Sequence, residues 1–135
     1  MKWNEERRTG NEEVKPSKYF TDLKVWQEGH QLVIAVYRLA KSFPKTESYG
    51  LTSQIKRAVV SITSNIAEGF KRESMKDKLH FYIMSHGSLS EVQNQLYIAL
   101  DVEYITKDKF DVVYGQTEVV DRLLTGLINA SKERL

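Results

Sequence analysis

Residues 54 to 68 place Gln54, Arg57, Ser61, Asn65 and Glu68 at steps of three and four. On a helix that spacing sets a guanidinium, a carboxylate and three small polar groups along one line. Two kinds of chemistry fit. The row could be a strip that binds phosphates or a protein partner. It could equally be a seam, in which small polar groups let a neighbouring helix approach and pair one another, as buried polar atoms must. Gly69 and Lys71-Arg72 follow at once, so the preferred reading is a helix end with a packing seam and then an exposed cationic turn. The cations Lys56, Arg57, Lys71, Arg72, Lys76 and Lys78 are the candidate nucleic-acid contacts. Binding through them would follow charge and shape, with little sequence readout. Against it, paired charges near helix ends are most often ordinary solvated surface.

Other chemistry finds little footing. Gly-x-Ser-x-Gly, Walker, Gly-x-Gly-x-x-Gly and His-Glu-x-x-His patterns are all missing. The chain has no cysteine, which removes thiolate chemistry and disulfides. A di-iron bundle needs Glu-x-x-His on two helices and Glu on two more, and only Asp77-x-x-His80 has that spacing. His30 and His86 fall on apolar rows and read as core histidines. The expectation is a protein that is not an enzyme, with no metal and no cofactor. Its 20 basic and 18 acidic side chains give a net charge of +2 over 135 residues. That balance does not itself argue for nucleic acid, so any basic patch must arise from clustering. The N-terminus carries no apolar run and no stretch is long enough to span a bilayer, so a cytoplasmic protein free of membrane is expected.

The elements that must position these residues are helices. Residues 1–18 are polar and mixed in charge, with Gly10 and Pro16, and read as a flexible tail. Residues 19–135 read as one domain. A first helix, roughly 21–42, has Thr21 as N-cap and Leu23, Trp26, His30, Val33, Tyr37 and Ala40 on one row. Phe43-Pro44 ends it, because the residue before proline leaves the helical region. A second, roughly 48–69, carries Leu51, Ile55, Val59, Ile62 and Ile66 and ends on Gly69. A third starts at Ser74, with Asp77 three residues on, and runs to about Tyr104. A fourth follows Thr106. Short links between them predict an all-α, antiparallel up-down-up-down four-helix bundle.

Two helices have a second apolar row. On the first it is Val25, Gly29, Leu32, Val36 and Leu39; on the fourth, Val112, Val119, Leu123 and Gly126. A helix apolar on two sides cannot bury both in a lone four-helix monomer. Each Val or Leu left in water forgoes about 1.5–3 kcal/mol. These rows are therefore the expected oligomer interface, with the glycines allowing close backbone approach; the alternative is one broad core-facing stripe with a few tolerated surface aliphatics.

The order of signals resembles a known family. It runs Phe20-Thr21-Asp22-Leu23-Lys24-Val25-Trp26-Gln27, Phe43-Pro44, Glu47, then Tyr49-Gly50-Leu51-Thr52-Ser53-Gln54. Arg57-Ala58, Ser61-Ile62, Asn65-Ile66-Ala67-Glu68-Gly69, Arg72, Gly87-Ser88-Leu89 and Glu91 follow. Over roughly residues 19–130 this is similar to the 23S rRNA intervening-sequence proteins, also called four-helix-bundle proteins. The resemblance implies a homopentameric ring and no enzymatic activity. Relatives serve as accessory proteins of diversity-generating retroelements, so nucleic acid, RNA or DNA, and a reverse transcriptase are the implied partners. A scaffold that docks only protein is the alternative.

Overall fold

The protein is described here by a computed structural model, and the structure describes residues 16–135. Among those residues four helices carry the fold and no strand occurs: α1 (Lys24–Ala40), α2 (Leu51–Lys71), α3 (Met75–Asp101) and α4 (Lys107–Glu133). Single 3-10 turns, Phe20–Asp22 and Lys45–Glu47, precede α1 and α2. The expected tail, residues 1–18, lies outside the described residues except for 16–18, which are exposed.

The helix ends show which local signals won. Ser74 caps α3 as expected, its Oγ accepting the Asp77 N–H at 3.1 Å. Thr106 does the same for α4 with the Lys109 N–H, at 3.3 Å. Thr21 is not a cap. It lies in the turn Phe20–Asp22, whose Asp22 carboxylate accepts the Tyr19 N–H at 3.2 Å, and α1 starts only at Lys24. The second helix begins three residues later than its pattern suggests. Pro44 opens the Lys45–Glu47 turn, and Glu47 Oε1 then accepts the Leu51 N–H at 2.9 Å. Gly69 is not a terminator either. α2 continues through it to Lys71, and no described glycine has positive φ. Its value is space: a Cβ there would stand 2.7 Å from Tyr82 Cε1 and 3.0 Å from Phe81 Cβ.

Each helix packs on its neighbours in sequence, and α4 also packs on α1. Their numbering runs in opposite senses where they meet. Gly29 faces Thr63 while Tyr37 faces Lys56. Gly69 faces Tyr82 while Ser61 bonds Ser88. His86 bonds Asp121 while Gln93 bonds Thr117. The core they enclose is aliphatic: Leu32, Val36, Ile55, Val59, Ile62, Ile66, Val92, Leu96, Val120 and Leu124 are all fully buried.

This packing corrects the expected interface. Val25, Gly29, Leu32, Val36 and Leu39 of α1 are buried inside the protomer itself, so they offer nothing to a second subunit. The row expected to face inward is the mixed one. Trp26 and Ala40 are buried, but Tyr37 is exposed and His30 half-buried. The physical reason is side-chain type. Tyrosine and histidine keep a polar end in water while their rings cover apolar surface, so Tyr37 lies under Lys56 and His30 stacks on Trp26 at 4.7 Å. Gly29 does serve a close approach, but to α2 of its own chain: a Cβ there would be 3.0 Å from Thr63 Cγ2. On α4 the second row does stay outward in part. Val112 is 66 % exposed, Gly126 is exposed, and Val119 and Leu123 are half-buried.

Candidate nucleic-acid interface

Local rules build the hairpin between α2 and α3. Arg72 leaves the helical region (φ −71°, ψ 149°), and Ser74 restarts it two residues later. The last carbonyls of α2 therefore need a partner. Lys78 supplies it: its Nζ donates to Phe70 O at 2.7 Å and to Gly69 O at 3.4 Å, and lies over the Phe70 ring. A cation at the negative end of a helix dipole is well placed. Partial burial pulls the Lys78 ammonium below the ordinary lysine range. Lys78 is thus spent on the fold, which corrects its assignment as a nucleic-acid contact.

Arg72 is half engaged. It bonds Glu68 Oε1 at 2.5 Å, four residues back, and its guanidinium lies 4.6 Å over the Phe81 ring. Lys71 and Lys76 are exposed. The hairpin also carries Glu68, Glu73 and Asp77. Against Lys71, Arg72, Lys76 and Lys78 that leaves four minus three, a net +1.

Lys56 and Arg57 stand elsewhere. Some 15 residues back along α2, they are about 22 Å from the hairpin at 1.5 Å per residue. Lys56 lies over the Tyr37 ring, toward α1, at 4.9 Å. Arg57 is exposed and lines a cleft of about 320 Å³ with Gln54, Ala58, Ser61, Ser88 and Glu91, toward α3. Lys56 and Arg57 also share a cleft of about 450 Å³ with Tyr37, Val60, Ser61 and Ser64. The six candidate cations therefore form two separate groups.

The polar row resolves into an inner and an outer part. Inside, Ser88 Oγ donates to Ser61 Oγ at 2.9 Å, and Asn65 Nδ2 donates to Ser61 O and Oγ at 2.9 and 3.0 Å. Ser85, fully buried, donates to Ile62 O at 2.8 Å. These short side chains, with Gly69, let α2 and α3 approach closely. Outside, Gln54 and Glu68 face solvent. Of the α3 serines that complete the seam, Ser88 entered the sequence reading only through the family resemblance, and Ser85 was not singled out. Their spacing of three, facing Ser61, was the available signal.

Two further polar contacts escaped the sequence. His86, expected in the core, is half-exposed and its Nε2 lies 2.7 Å from Asp121 Oδ1 on α4. Glu47, besides holding Leu51, accepts the Tyr104 O–H at 2.7 Å. The Leu51 amide first, and Tyr104 second, hold the Glu47 carboxyl below the usual glutamate range. The same bond pushes the Tyr104 phenol up. Among the described residues no group of three or more His, Cys, Asp or Glu could hold a metal ion, and no helix is long and apolar enough to cross a membrane.

Comparison with known proteins bears on the whole frame. No curated protein matches the chain. A solved structure from Bacteroides thetaiotaomicron, described as a protein with unknown function from the S23 ribosomal protein family, is 21 % identical. The similarity covers 77 % of this chain and 97 % of that one, with a TM-score of 0.72; at that identity it shows the shared fold. Residues 21–126, from the turn before α1 to late α4, match the family described as 23S rRNA-intervening sequence protein, and it is to this family that the chain belongs.

Proposed function

We propose that the chain forms an up-down-up-down bundle which assembles as a homo-oligomeric ring, and that this ring binds RNA or DNA as a non-enzymatic accessory factor. The family resemblance implies a pentamer, with a reverse transcriptase as the protein partner. The observation that carries the reading is the exposed hairpin tip, where Lys71 and the partly paired Arg72 at the end of α2 and Lys76 in the first turn of α3 face solvent. A single tip with a net charge of +1 binds a polyanion feebly. Repeated around a ring, the same tip engages several phosphates at once, and linked weak contacts multiply. Each phosphate neutralised adds about 0.7–0.9 to the slope of log affinity against log salt.

The test is a titration of a labelled structured RNA at two salt concentrations. Affinity should fall steeply with salt, and Lys71→Glu with Arg72→Glu should weaken it across all sequences while assembly persists. Affinity indifferent to salt, or no binding at low salt, overturns the reading. One observation favours a scaffold instead: Ile83, Ile98, Val102 and Val112 are large apolar side chains exposed on α3 and α4. A scaffold predicts no low-salt RNA binding and a specific polypeptide that co-purifies.

A further inference from the structure

The outside of α3 ends in an apolar ridge. Tyr97, Ile98 and Val102 are 48 %, 42 % and 50 % exposed, with Asp101 between them and Glu103 just beyond. Clustered exposure of this kind on a water-soluble surface marks a contact. On another side of the molecule, α1 and α4 leave a cleft of about 510 Å³. Ala35, Leu39 and Val112 give it apolar walls, and Arg38, Lys109 and Asp108 stand along it. α1 packs on α2 and α4, whereas α3 packs on α2 and α4 from the opposite corner, so ridge and cleft face different ways.

Three properties match the two surfaces. Both are apolar at the centre. Their charges are opposite: Asp101 and Glu103 border the ridge, while Arg38 and Lys109 border the cleft. The cleft's one carboxylate, Asp108, lies in the first turn of α4, where the positive end of the helix offsets it. They also stand at the same height. Phe43 after α1 packs on Tyr104 after α3 at 5.7 Å, and Ser42 Oγ donates to Tyr104 O at 3.3 Å. Rotation about an axis parallel to the helices therefore brings one copy's ridge to the next copy's cleft without sliding.

We propose that the α1–α4 cleft receives the α3 ridge of a second copy of this chain, front to back. The inference rests on the ring reading and gives it a contact. A surface that binds a different surface leaves each copy free to bind another, which is what closes a ring; a self-complementary patch would stop at two.

Ridge and cleft can be broken separately. Ile98→Asp spoils only the ridge and Val112→Asp only the cleft, and both residues are exposed, so helicity by circular dichroism should hold. By light scattering, the unmodified chain should be a ring and each variant a single copy. Mixed one to one, the variants should give a discrete dimer, since each still offers one intact surface. Asp101→Arg should also weaken assembly and Arg38→Asp should restore it. A variant that assembles like the unmodified chain overturns this contact, leaves the ring reading standing, and means the cleft takes another segment or a different protein. Two single-copy variants whose mixture yields no dimer overturn the front-to-back pairing. A single-copy unmodified chain removes the ring and the contact together.

Discussion

Replacing Gly69 by alanine adds one methyl where α2 and α3 are nearest. In an exposed helix the change would help, because glycine costs about 1 kcal/mol relative to alanine. Here the new carbon would lie 2.7 Å from Tyr82 Cε1 and 3.0 Å from both Phe81 Cβ and Tyr82 Cδ1. Tyr82 is 3 % exposed, so its ring has no solvent to swing into and the two helices must part. Overpacking of this kind costs about 1–3 kcal/mol. Set against the gain of about 1 kcal/mol, the net expectation is a loss of up to about 2 kcal/mol, read from urea unfolding at fixed protein concentration as a lower midpoint with an unchanged slope. Gly126→Ala is the control. It sits in the same type of element with nothing within 4 Å of the added carbon, and should gain up to about 1 kcal/mol. A Gly69→Ala protein as stable as the parent, or more so, would refute the argument that this glycine exists for close packing.

Glu47 should make stability depend on acid. Its folded pKa lies below the usual glutamate range, so it contributes stability above the unfolded value and loses it as pH falls through the folded one. Glu47→Gln should flatten that acid limb of the urea midpoint against pH, and Tyr104→Phe should flatten it less, because the Leu51 amide remains. Lys78→Met keeps the stem of the side chain but abandons the Phe70 and Gly69 carbonyls; unfolding should show a loss of about 1 kcal/mol, with Lys71→Met near neutral by comparison. Glu103 holds φ at 67° in a turn closed by its own N–H to Leu100 O at 3.0 Å and by Tyr104 N–H to Ala99 O at 2.8 Å. That is a glycine position at a helix end, so Glu103→Gly should raise the thermal midpoint by the equivalent of up to about 1 kcal/mol.

Four helices and two of their caps were legible in the sequence, since period 3.6 and the Ser74 and Thr106 signals are local. The orientation of α1 was not. Two apolar rows on one helix are equivalent until the neighbours are in place, and Trp26 and Tyr37 weigh heavily in a pattern although tyrosine tolerates water. The core went to the row of pure aliphatics and glycine. Gly69 looked like a terminator because glycine serves two purposes, positive φ and small size, and only the position of Tyr82 chooses between them. Lys78 looked free because its acceptors are backbone carbonyls, which no side-chain pattern reveals. Glu47 and Tyr104 lie 57 residues apart, and nothing local joins them. The candidate cations were legible as residue types but not as a surface, because Lys56 and Arg57 sit about 15 residues back along α2 from the hairpin.

The proposed contacts divide the molecule along its length. The cationic hairpin stands where α3 begins, and the ridge and cleft stand where α3 ends. At 1.5 Å per residue, the 22 residues from Lys76 to Ile98 along α3 separate them by about 33 Å. That is several Debye lengths at physiological salt, so neither charge set can act directly on the other. The coupling between assembly and binding must therefore run through copy number alone. Lys71→Glu should lower RNA affinity and leave the mass of the assembly unchanged. Ile98→Asp, far from any proposed phosphate contact, should lower affinity too and also reduce its salt slope, because a lone copy neutralises fewer phosphates than a ring. A single-copy Ile98→Asp protein that bound RNA with the parent's affinity and slope would show that each hairpin binds alone, and would sever the ring from the binding.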